Sequence, residues 1–415
     1  MADIEVYIDF AAGLKRVGTL HRHARRGGEA ISFEYHPAWL EDRACFSLEP
    51  ALALGRGAFV PARSLPIFGS IGDSAPDTWG RRLMQRAERR RAEREGRAIR
   101  TLQELDYLLG VSDVSRLGAL RFRDVGEEVF QSPTSVGVPG LVELGRLLQA
   151  TERILRDEET DEDLQLIFAP GSSLGGARPK ASVIDNHRQL SIAKFPKEMD
   201  DYSIELWESV ALTLARRTGI RTPENELLRV GGRPVMLSRR FDRVGNARIP
   251  FLSGLSMLGL KDGERGSYPE LVDALTRYGA RAREDARELY RRMVLNILIS
   301  NVDDHLRNHG FLWSGPEGWT LSPVYDLNPT PTDIRPRILT TNISLDEATC
   351  DVNLALSSAE YFSLGPKDAK AIVKEVALAT SAWREVATTA GATQSEIHRV
   401  ASAFQHNDLT RALSL

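Results

Sequence analysis

Cysteine is nearly absent: Cys45 and Cys350 are the two in 415 residues. A pair so far apart makes no disulfide framework and no zinc spacing. No apolar run approaches the ~20 residues of a bilayer-spanning helix, so no membrane association is expected. The opening MADIEVYIDFAAG has acids and no basic stretch ahead of an apolar one, which argues against a secretory leader. A strong charge of either sign is missing too. The formal net charge is −3, whereas a dedicated nucleic-acid binder carries a basic excess. Any DNA contact would rest on local patches or on a partner. What is present, 42% hydrophobic and 27% charged residues, describes an ordinary soluble globular chain, expected in the cytoplasm. Its length calls for two to three domains.

The most informative stretch runs from Arg291 to Pro329. Met293, Val294, Ile297 and Leu298 recur at the spacing of a buried helix face. A polar loop follows, Asn301-Val302-Asp303-Asp304-His305-Leu306-Arg307-Asn308. Two short apolar runs then flank a Gly/Pro turn at 314–318 and read as a hairpin. Folding about Pro316 sets Asn308 nearly opposite Val324, so Asn308 and Asp326 should lie within a residue or two of each other. At roughly 3.3 Å per residue that is close enough to share one ion. Aspartate and asparagine in loops usually make turns or caps. Three of them on one hairpin suit phosphoryl transfer instead. One carboxylate positions the attacking hydroxyl, while an amide and a second carboxylate hold Mg²⁺ on the ATP phosphates. Asp304 and His305 also suggest a metal hydrolase, but no second cluster of ligands at helical spacing accompanies them.

Ahead of that stretch, residues 1 to about 65 read as β-rich. Ile4 to Phe10 and Ala30 to Tyr35 alternate, with turn residues between them. The segment MQRAERRRAEREGRAIR interleaves Arg and Glu, as a solvated helix with i, i+4 pairs does; an arginine patch for nucleic acid is the rival. Leu102–Leu109 and Leu141–Leu155 read as helices, Ala119–Phe122 as a strand and Asp157–Asp163 as an acidic loop. A boundary falls in the loop-rich 126–140. The expected division is 1–125, 126–240 and 241–415.

Gly171-Ser172-Ser173-Leu174-Gly175-Gly176 forms a backbone that can approach phosphates closely, though it matches neither the P-loop nor G-x-G-x-x-G. Strands at Ala181–Ile184 and Leu190–Phe195 should follow, the second carrying Lys194. A lysine about twenty residues after a Gly-rich loop is the layout of a protein-kinase N-lobe. Glycine loops are mostly turns, and strand lysines mostly snorkel; the order loop, lysine, Asp303, Asn308, Asp326 favours the kinase. A helix from Ile204 to Thr218 holds Glu205 and Glu208, candidates to pair with the lysine. Leu227–Val230 and Val235–Ser238 form a further hairpin. Arg239-Arg240-Phe241-Asp242-Arg243 falls where the lobes should connect, with Phe241 able to wall an adenine pocket. Beyond Gly266 the chain reads mostly as helix.

These residues carry a resemblance. DSAPDTWGRRL (73–83), LLGVSD with GALRF (108–122), GSSLGGARPK (171–180), AKFP (193–196), RRFDR (239–243), NVDDHLRNHGFL (301–312) and LSPVYDLNP (321–329) resemble the HipA family of bacterial toxin kinases over essentially the full length. The resemblance implies an α+β, two-lobed, protein-kinase-like fold with an N-terminal β-containing subdomain and a mostly helical C-lobe. It implies ATP and Mg²⁺, with Asp303 as catalytic base, Asn308 and Asp326 on the metal, and Lys194 on the phosphates. Ser173, Leu174, Gly175, Gly176, Lys180, Arg239, Phe241 and His305 would border the nucleotide. Autophosphorylation would fall on Ser173, or on Ser172 beside it. It further implies a small helix-turn-helix antitoxin that binds operator DNA, so that this chain meets DNA through its partner. An aminoacyl-tRNA synthetase is the implied kind of protein target. Arg239 departs from members that have an acidic residue at the adenine edge. The readings to set against a Ser/Thr protein kinase are a pseudokinase acting as co-repressor with its antitoxin, and a kinase of a small molecule.

Overall fold

The computed structural model of the protein describes residues 3–25, 28–62, 65–132, 137–168 and 176–415. Helix and sheet are mixed, and the chain divides into two compact units. Unit 1 comprises 1–198, 230–233 and 237–252; unit 2 comprises 199–229, 234–236 and 253–415.

Unit 1 begins with an antiparallel sheet. Its strands are β1 (Ile4–Phe10), β2 (Gly13–Arg25), β3 (Gly28–Tyr35), β4 (Ala58–Phe59) and β5 (Leu120–Asp124), in the order β4-β3-β2-β1-β5. The alternation in β1 and β3 buries Ile4, Val6 and Ile8, and Ile31, Phe33 and Tyr35, as period-2 strands should. Strand β2 was read as turn. Its register shifts between Val6 and Tyr7 of its neighbour, and a bulge breaks the period-2 pattern that announces a strand. Its polar side chains are ion-paired, Arg16 with Glu5 at 2.9 Å and Arg22 with Glu29 at 2.7 Å. Gly18 is needed there because a Cβ would collide with the Phe33 ring and the Glu34 carbonyl.

Next come α1 (Thr78–Arg94) and α2 (Glu104–Leu109), then α3 (Leu144–Leu155) and α4 (Asp161–Phe168). The arginine-rich segment is the solvated helix. Asp77 caps α1, and Arg81 meets Glu104 at 2.7 Å, Arg91 meets Glu95 at 2.8 Å and Arg97 meets Glu88 at 2.6 Å. Helix α4 replaces the latter part of the expected acidic loop. Thr160 Oγ1 accepts from Asp163 N (3.2 Å) while Asp163 accepts from Thr160 N (2.9 Å), a capping box in which the acids favour the helix start. Strands β6 (Lys180–Ile184) and β7 (Leu190–Lys194) then pair about Asp185-Asn186.

A buried ion cluster holds two loops of unit 1 together. Arg240 donates to Asp242 at 2.5 and 2.6 Å and to the carbonyls of Ser115 (2.9 Å) and Arg116 (3.2 Å). Asp242 accepts from Gly118 N at 2.7 Å and from Arg243 at 2.6 Å. Arg240 and Asp242 have fully buried side chains. The 239–243 segment therefore clamps the 113–118 loop through alternate residues.

In unit 2, α5 (Ile204–Arg217) starts at Ser203, whose Oγ accepts from Leu206 N at 3.2 Å. Strands β8 (Asn225–Val230) and β9 (Arg233–Arg239) flank the Gly231-Gly232 turn, which itself belongs to unit 1. Helices α6 (Tyr268–Tyr278) and α7 (Ala282–Leu298) precede β10 (Gly310–Trp313) and β11 (Trp319–Leu321). The C-terminal helices include α8 (Pro366–Ser381), α9 (Trp383–Thr389), α10 (Gln394–Val400) and α11 (Asn407–Leu413). Leu289, Met293, Val294, Ile297 and Leu298 of α7 are fully buried. Among the described residues no helix is long and apolar enough to cross a membrane.

Burial pushes the Asp242 carboxyl up, yet Arg240 and Arg243 outweigh it and hold the carboxyl at about 2. Unfolded, it would titrate near ~3.9. Its contribution is thus complete above pH ~4 and disappears as pH falls through about 2. Asp242→Ala strands two buried guanidinium groups and should lower unfolding stability by about 3–5 kcal/mol in urea titration. Arg91→Ala, on the exposed face of α1, should stay within about 0.5 kcal/mol of the parent.

Candidate active site

Helix α7 ends at a residue in left-handed geometry, Ser300 (φ 52°), and that turn aims the following loop. Ser300 Oγ donates to Ala403 O at 2.8 Å and accepts from Arg337 Nε at 3.0 Å, so the exit from the helix is held on both sides.

The two adjacent aspartates of that loop face opposite environments. The Asp304 side chain is 4% exposed. It accepts from the Tyr268 hydroxyl at 2.5 Å and lies 3.3 Å from His309 Nε2. Burial raises its pKa, but His309 and the hydroxyl prevail and hold it below the usual carboxylate range. The phenol is driven far above its ordinary value by burial and by this carboxylate. Asp304 is a structural anchor. The Asp303 side chain is 55% exposed, with Oδ1 2.9 Å from Arg335 Nη1; of the pair, it is the carboxylate open to an incoming hydroxyl.

Asn308 is buried. Its amide donates to Asp303 O at 3.2 Å, while its Oδ1 has no hydrogen-bond partner among the described residues. A buried amide oxygen without a donor costs free energy, and a cation is the ligand that satisfies an acceptor-only atom. The site therefore fits a hard metal ion. Among the described residues no three His, Cys, Asp or Glu side chains converge as a metal cluster. A nucleotide-bound Mg²⁺ needs only one or two protein ligands beside phosphate and water.

The expected hairpin register is realised: Phe311 pairs with Leu321, Leu312 with Thr320 and Trp313 with Trp319. The ladder ends at Gly310 and Leu321, and Leu306–Asn308 form a 3-10 turn, so the strand register itself does not extend to Asn308. The Tyr325 hydroxyl donates to Arg307 O at 2.6 Å, which fastens the residue before Asp326 to the residue before Asn308. Asp326 has φ 61°, a strained conformation that aspartate tolerates better than most residues. Its N–H donates to Glu208 Oε1 at 3.1 Å, and Asn328 Nδ2 donates to its carboxylate at 3.2 Å. Asn328 N donates to Asn301 Oδ1 (3.1 Å), Asn301 to Asn296 Oδ1 (3.0 Å) and Asn296 to the Tyr268 hydroxyl (2.9 Å). One chain of hydrogen bonds thus runs from the half-buried Asp326 loop through the buried Asn301, Asn296 and Tyr268 to Asp304.

The other expected residues belong to unit 1. Lys194 closes β7 opposite Lys180. Like charges facing each other across a ladder repel, but the Lys180 ammonium lies 2.6 Å from Asp77 with both side chains buried. Lys180, expected at phosphate, is engaged in that ion pair. Trp79 N donates to Gly176 O at 3.3 Å and Trp79 Nε1 to Lys180 O at 3.1 Å. Both ends of 176–180 are therefore tied to the start of α1. Arg239 Nε lies 3.4 Å from Asp185 Oδ2, and Phe241 packs against Phe251 with ring centroids 6.3 Å apart. His305, in unit 2, is half-buried, and its Nδ1 has no partner among the described residues. Ser172, Ser173, Leu174 and Gly175 lie outside the described residues.

Sequence reading missed Tyr268, Asn296, Asn301, Asn328 and Arg335. Of these, Asn301 in the polar loop and Asn328 before a proline in DLNP carried a local signal. Glu208, read as one of two candidates to pair with a lysine, holds the Asp326 backbone. Tyr268→Phe removes the donor to Asp304 and the acceptor of Asn296 together. It should cost about 1–3 kcal/mol of stability in denaturant titration, with a fall in Mg²⁺-dependent nucleotide binding as the Asp326 loop loosens.

Residues 172–383 match the family model described as HipA-like C-terminal domain, just over half of the chain. A Sinorhizobium fredii protein carrying the name "Putative kinase Y4mE" is 25% identical over 402 residues, covering 87% of this chain and 81% of that one. A Haemophilus influenzae protein named "Putative kinase" is 25% identical over 178 residues, 38% of this chain and 52% of its own length. Among solved structures, a chain from the Shewanella oneidensis complex of HipA, HipB and operator DNA superposes with a TM-score of 0.69 at 17% identity, covering 99% of this chain and 96% of that one. That likeness establishes the α+β kinase-like fold. The chain belongs to the HipA-like C-terminal domain family.

Proposed function

We propose that the protein is an ATP- and Mg²⁺-dependent Ser/Thr protein kinase, the toxin half of a toxin–antitoxin pair. The observation that carries this reading is the pairing of an exposed carboxylate, Asp303, with a buried amide oxygen five residues on that lacks a donor, Asn308. The Tyr325–Arg307 bond beside the strained Asp326 supports placing its carboxylate near that pair.

In this mechanism Asp303 orients the acceptor hydroxyl and takes its proton as the oxygen attacks the γ-phosphorus. The bond from that phosphorus to the β–γ bridging oxygen breaks, and ADP leaves with the electron pair. Asn308 Oδ1 and the Asp326 carboxylate would hold Mg²⁺, which supplies charge neutralisation on the phosphates. Lys194 and the 171–176 loop would grip the phosphates, with Phe241 and Arg239 bordering the base and His305 beside the nucleotide. Phosphorylation of Ser173, or of Ser172, would add about −1.5 to −2 charge at pH 7 next to those phosphates; repulsion would then expel the loop and switch the kinase off.

A HipB-like helix-turn-helix antitoxin is the proposed partner, with DNA reached through it. The family and the HipB-bound state of the Shewanella chain support that reading. An aminoacyl-tRNA synthetase is the proposed kind of target.

Mass spectrometry after incubation with Mg·ATP tests the reading. The wild type should gain phosphate on Ser173 or Ser172, and Asp303→Asn should gain none while still binding ATP. Asp326→Asn should weaken Mg²⁺-dependent nucleotide binding, and an unchanged Mg²⁺ titration would remove its metal role. Absence of phosphate from the wild type and from every protein of a cell extract would favour the co-repressor pseudokinase, while phosphate appearing on a metabolite would identify a small-molecule kinase.

A further inference from the structure

The geometry points to Arg335 as the residue that positions the catalytic carboxylate, an inference that rests on the kinase reading above. Asp303 lies on an exposed loop, and the terminal torsion of an aspartate is broad and easily turned. Arg335 Nη1 donates to Oδ1 at 2.9 Å. Among the described residues neither side chain makes another polar contact, so Oδ2 stays open. A charge-assisted bond to one oxygen biases the orientation of the carboxylate and leaves the other oxygen to the acceptor hydroxyl.

The backbone that carries Arg335 is itself held. Ile334 N donates to Pro331 O at 3.0 Å, Thr332 N to Ser402 Oγ at 3.1 Å, and Asp333 meets Arg399 at 3.0 Å. Arg337, two residues on, serves the scaffold: it lies 2.5 Å from Asp408 and donates to Ile297 O at 2.8 Å. Arg335 differs, with its side chain 57% exposed. An exposed ion pair contributes little to folding, so a positioning role predicts that losing it is read in the rate and not in the melting temperature.

During transfer Arg335 moves no proton. The acceptor proton goes to Asp303 Oδ2 as the new oxygen–phosphorus bond forms and the bond to the ADP oxygen breaks. The guanidinium keeps Oδ1 engaged and its positive charge beside the carboxylate while the phosphate arrives.

The experiment compares wild type, Asp303→Asn, Arg335→Ala, Arg335→Lys and the Asp303→Asn/Arg335→Ala double variant. Phosphate incorporation and ADP release are followed under Mg·ATP, beside ATP affinity and melting temperature. Arg335→Ala should lower kcat roughly 10- to 100-fold, with ATP affinity and melting temperature unchanged. Lysine should restore part of the rate, since it donates but lacks the planar fork. The double variant should match Asp303→Asn, because a positioning residue has nothing left to position. An Arg335→Ala enzyme at the wild-type rate, or one whose loss of rate comes with an equal loss of ATP affinity or a lowered melting temperature, would overturn the assignment while leaving the base in place. An Asp303→Asn enzyme at the wild-type rate, or a wild type that transfers nothing, would overturn the kinase reading itself and the positioning role with it.

Discussion

The hydrogen bond from the Tyr268 hydroxyl to the Asp304 carboxylate sets the terms for the rest of unit 2. A buried carboxylate is tolerated only when its lone pairs are met. Asp304 meets that condition with a phenol from α6 and the ring of His309. The same phenol accepts from Asn296 on α7, and three asparagines carry the connection on to the Asp326 loop. Each member is held by the next. Low local dielectric strengthens every bond in such a chain and raises the cost of breaking one. The loop bearing Asp303 is therefore rigid where it enters the interior and open where it faces solvent.

Unit 1 meets a different constraint with similar means. Arg240, Asp242 and Arg243 form a buried charged cluster whose free donors end on main-chain carbonyls. Lys180 and Asp77 make a second buried pair. Both clusters join segments far apart in sequence. The first fastens a loop of the N-terminal region to the 239–243 stretch, and the second fastens the residues after the Gly-rich loop to α1. In each case charge secures the ends of a loop whose apolar content is too small to anchor it.

Hydrophobic periodicity made most of the fold readable. The alternation of β1 and β3, the helical stripe of α7 and the apolar runs about Pro316 all appear at the expected places. Strand β2 escaped because a bulge shifts its register and ion pairs occupy much of its polar face. Helix α4 escaped because acids in a first turn look like an acidic loop until a capping partner, Thr160, is weighed with them. In the candidate site, Asp303, Asn308 and Asp326 stand out in the sequence because their residue types and spacing suit one chemistry. Tyr268 and Arg335 do not, because each acts from an element distant in sequence and has no spacing of its own.

The sequence by itself determined the helix–loop–hairpin that carries Asp303 and Asn308, since a strand has a period of two residues and a short turn leaves one register. It also determined the family, through motifs spread along the chain. Tertiary structure alone decided which of two adjacent aspartates faces solvent, that Lys180 is bound to Asp77, and that Arg335 meets Asp303. Those outcomes depend on burial and on partners tens to a hundred residues away, and a one-dimensional pattern does not encode which side chains the folded interior leaves without water.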